Sequence, residues 1–215
     1  VPVISSQPEP TTTLGYVTSS NDGTPYIQQF VDAIGTDTTG KAVILNGMAD
    51  AQWQHDRLDK IAEAIKTGVP GLEWLPNQVD GFDVNKGTQI ISGLITANPD
   101  LKVILAVAGP EGQAVAAAVK QNGKEDDIHV IAYDAVPAEV DGLRDGSVDF
   151  LVAQAAYSMG EEQMQAVVDY LNANPGSSGA VPAGGLGSKV MDMGLLTPEN
   201  VDSPESKAFI YSSTC

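Results

Sequence analysis

Two polar side chains, Asp134 and Gln154, stand where apolar runs of the sequence end. The run 128–133 (IHVIAY) stops at Asp134, and the run 150–153 (FLVA) stops at Gln154. Ligands of an open parallel sheet bind beyond the carboxyl ends of its strands, so we expect both side chains to face one cleft from adjacent strands. A carboxylate accepts hydrogen bonds from hydroxyl groups, and an amide both donates and accepts them. The pair therefore suits a neutral polyol.

Both residues also have a purely structural interpretation. Asp134 lies at a predicted strand-to-helix turn, where an aspartate commonly caps the following helix. Gln154 can instead tie together the backbone of a crossover between two parts of the fold. The two interpretations remain open at the level of the sequence.

The apolar pattern predicts the elements that position these side chains. Continuous rather than alternating apolar runs indicate strands buried on both faces, and helical spacing of i, i+3, i+4 and i+7 lies between them. Asp50 and Asp83 are expected to cap two of the helices. The predicted strands cover 41–46, 72–75, 101–107, 128–133 and 150–153. This alternation predicts an α/β fold with a parallel sheet built of right-handed βαβ units.

The rest of the chain carries weaker patterns. The Ala-rich segment 113–121 is expected to be a helix, and 15–20 a short strand. A later helix is expected to carry one apolar face, formed by Met164, Val167, Val168 and Leu171. The glycine- and proline-rich segment 174–187 predicts a loop, and 191–196 a last strand.

Composition excludes several classes of function. The 215 residues are 42% hydrophobic, which is enough for a core. Eleven basic against 28 acidic residues give a net charge of −17, so the surface repels phosphate backbones, and nucleic acid is not an expected partner. No apolar run approaches the roughly 18 residues of a membrane-spanning helix. The single cysteine, Cys215, cannot form a disulfide within the chain.

Catalytic and metal-binding motifs are also missing from the sequence. There is no GxSxG, HExxH or Walker motif, and the only cysteine has no evident histidine partner. The two histidines, His55 and His129, are far apart, and the acidic residues are scattered. We therefore expect a protein that is not an enzyme and that carries no cofactor and no metal.

Several segments together resemble a known family. They include VPVISS, AVILNGMADAQWQHDR, DGFDVNKGTQIISGLITANPDLKVILA, HVIAYDAVPAEVDGLRDGSVDFLVAQ and LLTPENVD. Their order and spacing resemble those of type I periplasmic sugar-binding proteins, particularly ribose-binding members and the effector domains of LacI-type repressors. The resemblance implies a periplasmic-binding-protein-like I fold, with a parallel Rossmann-like sheet flanked by helices. Residues 23–154 would be a complete C-terminal lobe. Residues 1–22 and 155–215 would be remnants of the N-terminal lobe with hinge crossovers, the front third being absent.

The resemblance also implies a set of ligand-binding residues. Asp134 matches the sugar-binding aspartate of the family, Gln154 a glutamine at a crossover, and Phe82 an aromatic residue that packs on the sugar. The full expected set is Asp134, Gln154, Phe82, His55, Tyr133 and Arg57. Phe82 and Tyr133 can equally be core residues, and Arg57 can pair with Asp56 or Asp59. Ala108 and Gln7–Pro8 replace polar residues of the family, which argues against a simple pentose as ligand.

The resemblance implies a function outside the cytoplasm. We expect a solute-binding component of a bacterial ABC importer, in the periplasm or extracellular, that closes about a hinge on a sugar or similar polar molecule and is then recognised by a membrane permease. The alternative is a ligand-sensing domain of a LacI-type regulator or of a signalling receptor. An enzyme that reuses the fold is a third reading. We also expect either pairing with the missing N-terminal fragment or a second copy, or a partly disordered tail, because faces such as Ile27/Phe30 or Met164/Val168 would otherwise lack cover.

Overall fold

A computed structural model describes residues 3–6, 13, 15–175 and 187–212. These residues form nine β-strands and six α-helices. The strands are β1 Gly15–Ser19, β2 Gly40–Asn46, β3 Leu72–Trp74, β4 Gln78–Val79, β5 Leu101–Ala106, β6 His129–Tyr133, β7 Phe150–Gln154, β8 Gly187–Met191 and β9 Met193–Leu196. The helices are α1 Ile27–Ile34, α2 Gln52–Gly68, α3 Val84–Ala97, α4 Gly109–Gln121, α5 Pro137–Asp145 and α6 Ala156–Ala173. The α/β class and the parallel sheet predicted from the sequence are confirmed.

The chain divides into two units. The larger unit comprises Asn21–Ala153 and Gly194–Cys215, and the smaller unit comprises Val1–Ser20 and Gln154–Met193. The sequence had assigned all of 155–215 to the second lobe. Leu196 and Val201 instead pack into the hydrophobic core of the larger unit, because β9 lies next to β7 in its sheet. Gln7–Pro8 and most of the predicted 174–187 loop lie outside the described residues.

The larger unit is built on a sheet with strand order β3-β2-β5-β6-β7-β9, and β4 also pairs with β2. The pairs of β2 with β3, β4 and β5, and of β6 with β5 and β7, are all parallel. The central strands are buried along nearly their whole length because helices cover both faces. The carboxyl ends of β2, β5 and β6 therefore open at one edge of the sheet.

Helix ends depart from the sequence prediction in two places. Asp83 caps α3 as predicted, its side chain accepting from the backbone N–H groups of Asn85 and Lys86. Asp50 does not cap α2, which begins at Gln52 with Ala51 at the N-cap position. Helix α4 begins at Gly109 rather than Gln113, because Pro110 occupies its first turn, where the missing N–H has no helical partner to lose.

The smaller unit pairs β1 with β8 in parallel, and α6 lies on β1, where Gln163 Nε2 donates to the Val17 carbonyl at 3.0 Å. One face of α6 is apolar and exposed: Met164, Val168 and Leu171 are 65%, 43% and 45% exposed. The helix predicted from the spacing of Met164, Val167, Val168 and Leu171 is confirmed as α6. Met164 and Val168 are exposed, as expected from the sequence. Phe30, which was also expected to lack cover, is instead fully buried and packs against Phe150.

Candidate functional site

Three loops meet at the carboxyl edge of the larger unit's sheet, where the sequence predicted a ligand site. Gly47 follows β2, Val107 and Ala108 follow β5, and Asp134 follows β6. Helix α2 begins beside these loops and contributes Trp53 and Arg57 from its first two turns. The site is thus assembled from short connections that a buried sheet holds in place.

Arg57 and Asp134 form the polar centre of this region. Arg57 Nη1 lies 3.5 Å from Asp134 Oδ1, and the two side chains are only 8% and 17% exposed. The same Nη1 donates to the Val107 carbonyl at 2.9 Å, and Arg57 Nε donates to Asn21 Oδ1 at 3.2 Å. Because Arg57 is held by these groups and not by Asp56 or Asp59, its charge is available to the carboxylate and to a ligand beside it.

The Asp134 carboxylate has further donors. Tyr211 Oη donates to Oδ1 at 3.2 Å, and the Gly109 N–H at the beginning of α4 donates to Oδ2 at 3.1 Å. The positive end of a helix dipole favours a carboxylate at this position. With one donor recorded on Oδ2, that oxygen keeps acceptor capacity for a hydroxyl group.

An aromatic pair lies next to the polar centre. The rings of Trp53 and Phe82 are stacked, with centroids 6.3 Å apart and an interplanar angle of 11°. The Arg57 guanidinium lies 5.0 Å from the centroid of the Trp53 ring and 5.0 Å from that of the Tyr133 ring. We refer to Phe82, Trp53, Arg57 and Asp134 as the candidate site, since in this order each residue contacts the next.

The loop under the aromatic pair is fixed by Gln54. Its Oε1 accepts from the N–H groups of Gly47 and Met48, and its Nε2 donates to the Met48 carbonyl at 3.1 Å. A Cβ atom at Gly47 would lie 2.1 Å from the Phe82 ring. Glycine is therefore required at position 47 for Phe82 to pack where it does.

Backbone strain is concentrated at this site. Among the described residues, the non-glycine residues with positive φ are Asn21 (53°), Phe82 (62°) and Asp134 (78°). Phe82 and Asp134 belong to the candidate site, and Asn21 accepts from Arg57. Such conformations cost on the order of 1–3 kcal/mol each and persist where surrounding structure enforces them. Strain at one locus supports a functional constraint on these three backbone positions.

Buried carboxyl groups surround the polar centre. Glu111 and Glu139 have no exposed surface, and Asp80 is 2% exposed. Burial, together with the negative charge of Asp80, raises the pKa of Glu111 to about 8, and burial raises the pKa of Glu139 well above its usual value. Glu111 is therefore largely protonated at neutral pH.

Of the other predicted site residues, Tyr133, His55 and Gln154 lie in different environments. Tyr133 is fully buried and donates to the Arg57 carbonyl at 2.9 Å, so it supports α2 from below. His55 points to the surface, where its Nδ1 is 3.2 Å from Asp59 Oδ2. Gln154 is the last residue of β7 and is half-buried. The structure thus brings Arg57, Phe82 and Asp134 together with Trp53 and places Tyr133 against Arg57.

Five residues of this region were not identified from the sequence: Gln54, Asp80, Glu111, Glu139 and Tyr211. Asp80, Glu111 and Glu139 are single acids in polar or Ala-rich surroundings, a pattern typical of solvated surface charge. Tyr211 lies near the chain end, far in sequence from Asp134. A glutamine one residue after a tryptophan at a helix start gave no signal that separates it from a surface residue.

The side chains of the candidate site can bind a small polar molecule, but they do not include a nucleophile next to a general base. An arginine, a carboxylate and an exposed aromatic face can hold hydroxyl groups and an apolar ring face at the same time. No group of three or more histidine, cysteine, aspartate or glutamate side chains in the described part of the chain is arranged to hold a metal ion. Within the same residues, none of the helices has the length and apolar character to cross a membrane.

Comparison with known sequences identifies relatives. Residues 4–175 match the model of a family described as the periplasmic binding protein domain. The ribose import binding protein of Salmonella typhimurium is 24% identical over 125 residues, which are 58% of this chain and 41% of that protein. A D-ribose/D-allose-binding protein of Pseudomonas aeruginosa is 27% identical over 94 residues, 41% of this chain and 30% of the relative. The chain thus spans less than half the length of these relatives.

Solved structures share the fold. A solute-binding protein of an ABC transporter from Agrobacterium vitis, bound with α-D-tagatopyranose, has a TM-score of 0.74 and 23% identity, over 93% of this chain and 64% of the other. One from Bacillus halodurans with bound myo-inositol has a TM-score of 0.75 and 20% identity, over 97% and 70%. The family predicted by resemblance is confirmed, and this chain belongs to the periplasmic binding protein domain family.

Proposed function

We propose that this chain is the solute-binding component of a bacterial ABC import system and that it binds a sugar or a similar polar small molecule at the candidate site. Support comes from the family, from relatives named for ribose or allose binding, and from similar folds solved with tagatose and myo-inositol. Further support comes from the chemistry of the candidate site itself.

The side chains of the site match a neutral polyol. A hydroxyl group donates to Asp134 Oδ2, while a hydroxyl or ring oxygen accepts from the Arg57 guanidinium. The apolar C–H face of the sugar packs on Phe82, which is 40% exposed and backed by Trp53. Each hydroxyl that pairs with a buried group contributes selectivity of about 1 to 3 kcal/mol, because its absence leaves that group without a partner.

Charge argues for a neutral rather than an anionic ligand. Asp134 already faces Arg57, and the chain carries a net charge of −17. A phosphate or carboxylate would add a negative charge beside Asp134, whose cationic partner is Arg57. A neutral polyol uses both the acid and the base without adding charge.

One observation carries this proposal: the strained backbones at Phe82 and Asp134 lie in two residues at the ends of one line of contacts, since Phe82 stacks on Trp53 and Arg57 contacts both Trp53 and Asp134. A core that needed only to fold would adopt unstrained turns with glycine at these positions. Two residues that supply a side chain to a ligand cannot be replaced by glycine without loss of that side chain. Backbone strain at Phe82 and Asp134 is therefore expected if both side chains are needed to bind a ligand.

We further propose that ligand binding shifts the chain between open and closed forms by hinge motion, and that a membrane permease recognises the closed form. This role places the protein outside the cytoplasmic membrane, in the periplasm or on the cell exterior. The exposed Met164, Val168 and Leu171 of α6 would then be covered by a further polypeptide segment of the kind that the longer relatives carry, since this chain covers 64% of the tagatose-bound protein.

The proposal is tested by ligand-induced stabilisation. Ribose, allose, tagatose, fucose, arabinose and myo-inositol are screened by thermal unfolding, and binding at about 100 times the Kd stabilises the native state by about 2.7 kcal/mol. The stabilisation is expected to disappear in Asp134→Asn and to persist in Asp127→Asn, a matched exposed aspartate paired with Lys124. No stabilisation by any polyol, or equal stabilisation in Asp134→Asn, would contradict the proposal.

A further inference from the structure

Tyr211 forms two hydrogen bonds with the loop that carries Asp134. Its hydroxyl donates to Asp134 Oδ1 at 3.2 Å, and its backbone N–H donates to the Ala135 carbonyl at 3.0 Å. On the other side of the loop, the Asp134 N–H donates to the Val152 carbonyl of β7 at 3.0 Å. The loop is therefore tied both to β7 and to the segment around Tyr211, and these bonds hold Asp134 at its positive φ of 78°.

The segment that brings Tyr211 to this loop, residues 197–212, is itself packed into the larger unit. Val201 is 2% exposed and belongs to the hydrophobic core. The Phe209 ring packs closely on Gly194 of β9, where an added Cβ would lie 2.7 Å from the ring. Packing on either side of the connection to Tyr211 thus defines where its hydroxyl lies.

The two oxygens of the Asp134 carboxylate have different donors. Oδ1 lies 3.5 Å from Arg57 Nη1 and accepts from Tyr211, whereas Oδ2 accepts from the Gly109 N–H at 3.1 Å. The last torsion of an aspartate side chain has a broad potential, so hydrogen bonds decide the orientation of its carboxylate. Donors on both oxygens fix that orientation and leave acceptor capacity on Oδ2.

We propose that Tyr211 is a positioning residue of the ligand site: its hydroxyl orients the Asp134 carboxylate so that Oδ2 faces the ligand. The inference rests on the proposed function, in which Asp134 accepts a hydrogen bond from a polyol. Tyr211 acts through Asp134 and not on the ligand. It raises affinity because a carboxylate that is already oriented does not have to be ordered when the ligand binds.

The Tyr211 hydroxyl is suited to this role because it stays neutral. Burial, followed by the negative charge of Asp134, raises the pKa of Tyr211. Since an ordinary phenol has a pKa of about 10, the hydroxyl keeps its proton at neutral pH and donates it to the carboxylate in a charge-assisted hydrogen bond. Tyr211 thus gives the carboxylate a direction without neutralising it, while Arg57 supplies the opposite charge.

The test compares wild type with Tyr211→Phe, which keeps the ring and the backbone bond to Ala135 and removes only the hydroxyl. Aspartate carboxyl carbons are labelled with carbon-13, and the Asp134 resonance is assigned by its absence from Asp134→Asn. Without ligand, Tyr211→Phe is expected to shift the Asp134 resonance more than that of any other aspartate. Tyr157→Phe, which removes a hydroxyl from a tyrosine that is 73% exposed on α6, is expected to leave it unchanged.

A reciprocal measurement keeps the proposal testable if Tyr211→Phe does not fold. With carbon-13 at tyrosine Cζ, Asp134→Asn should shift the Tyr211 resonance, because the hydroxyl loses its charged acceptor. Asp127→Asn, the exposed aspartate paired with Lys124, should not shift it. An Asp134 resonance that Tyr211→Phe leaves in place, or a Tyr211 resonance that Asp134→Asn leaves in place, would overturn the proposal.

Affinity separates this inference from the proposed function. Ribose, allose, tagatose, fucose, arabinose and myo-inositol are each titrated into wild type, Tyr211→Phe and Tyr157→Phe. The Kd of every polyol that binds should rise about tenfold in Tyr211→Phe, the effect of one lost hydrogen bond to a charged group, and should not change in Tyr157→Phe. Equal affinity in Tyr211→Phe and wild type would overturn the positioning role and leave the proposed function intact. The resonance shift in a chain that binds none of the polyols would support the orientation of Asp134 by Tyr211 and contradict sugar binding.

Discussion

Arg57 Nη1 lies 3.5 Å from Asp134 Oδ1, so a residue of helix α2 and a residue at the end of β6 share one buried ion pair. The pair connects two of the loops that surround the candidate site. Arg57 also donates to Asn21 and to the Val107 carbonyl, and Asp134 also accepts from the Gly109 N–H and from Tyr211. Both the integrity of the fold at this edge of the sheet and the chemistry of the proposed ligand site depend on this relationship.

Replacing Arg57 by methionine is expected to lower the free energy of unfolding by about 3 to 5 kcal/mol, because the change leaves Asp134 as a buried charge without its cation. Urea denaturation measures this loss. The matched variant Arg144→Met removes an arginine whose partners, Asp141 and Asp202, are exposed, so its cost should stay below about 1 kcal/mol. Equal effects of the two variants would show that the Arg57–Asp134 pair is not a buried structural ion pair.

Replacing Gly47 by alanine is expected to displace Phe82, because the added Cβ would lie 2.1 Å from its ring. The near-ultraviolet circular dichroism of the Trp53–Phe82 pair should weaken, and the free energy of unfolding should fall by about 1 to 3 kcal/mol. Gly93→Ala is the matched control, since Gly93 lies in α3 with nothing within 4 Å of the added atom. That change should stabilise the chain by about 0.5 to 1 kcal/mol. A Gly47→Ala chain with unchanged aromatic signal would contradict the packing described.

Stability is expected to fall as pH rises from about 4.5 to about 8. The folded pKa of Glu111 is raised above its ordinary value of 4.5, so the folded chain holds a proton that the unfolded chain has lost throughout this range. The contribution is fully present below about pH 4.5 and is lost as pH approaches 8, at about 1.4 kcal/mol for each pH unit per group. Glu139 contributes with the same sign.

Urea denaturation of wild type and Glu111→Gln at several pH values measures this contribution. The difference in unfolding free energy between the two chains should change steadily with pH in favour of the variant up to about pH 8, and then level off. A difference that does not depend on pH would mean that Glu111 titrates in the folded chain as it does in the unfolded one.

The exposed face of α6 gives a prediction about association. Met164→Glu should abolish binding of any polypeptide that covers Met164, Val168 and Leu171, and it should change stability by less than about 0.5 kcal/mol because Met164 is 65% exposed. Gln165→Glu, an adjacent exposed position, controls for charge. Light scattering measures the mass of the particles. A second copy at this face would appear as a dimer of the wild type that Met164→Glu dissociates. A wild-type monomer with well-protected amides throughout residues 155–215 would contradict the need for cover.

Much of the fold could be predicted from the sequence because burial on both faces leaves continuous apolar runs. The strand predicted at 41–46 is observed at Gly40–Asn46, and that at 101–107 at Leu101–Ala106. Whether the apolar face of α6 is buried or exposed could not be predicted in this way. Its apolar spacing at Met164 and Val168 is the same whether the partner surface is present or not, so the sequence cannot tell a buried face from an uncovered one.

Site residues that directly follow a strand could be predicted from the sequence. Site residues whose position depends on tertiary contacts could not. Asp134 was expected at the sheet edge because parallel strands end there together. Arg57 was expected either at a ligand or at a surface pair, and its burial beside Asp134 follows from the position of α2 relative to β6. Glu111 and Glu139 were not expected, because a single acid in a helix has the same local pattern in solvent as in a core.

Native mass spectrometry with the polyol panel tests the central claim most directly. A wild-type chain that carries one bound sugar or cyclitol, together with an Asp134→Asn chain that carries none and an Asp127→Asn chain that binds as wild type does, is the predicted result. Absence of any adduct on the wild type, or the same adduct on Asp134→Asn, would contradict the assignment of this face as a ligand site.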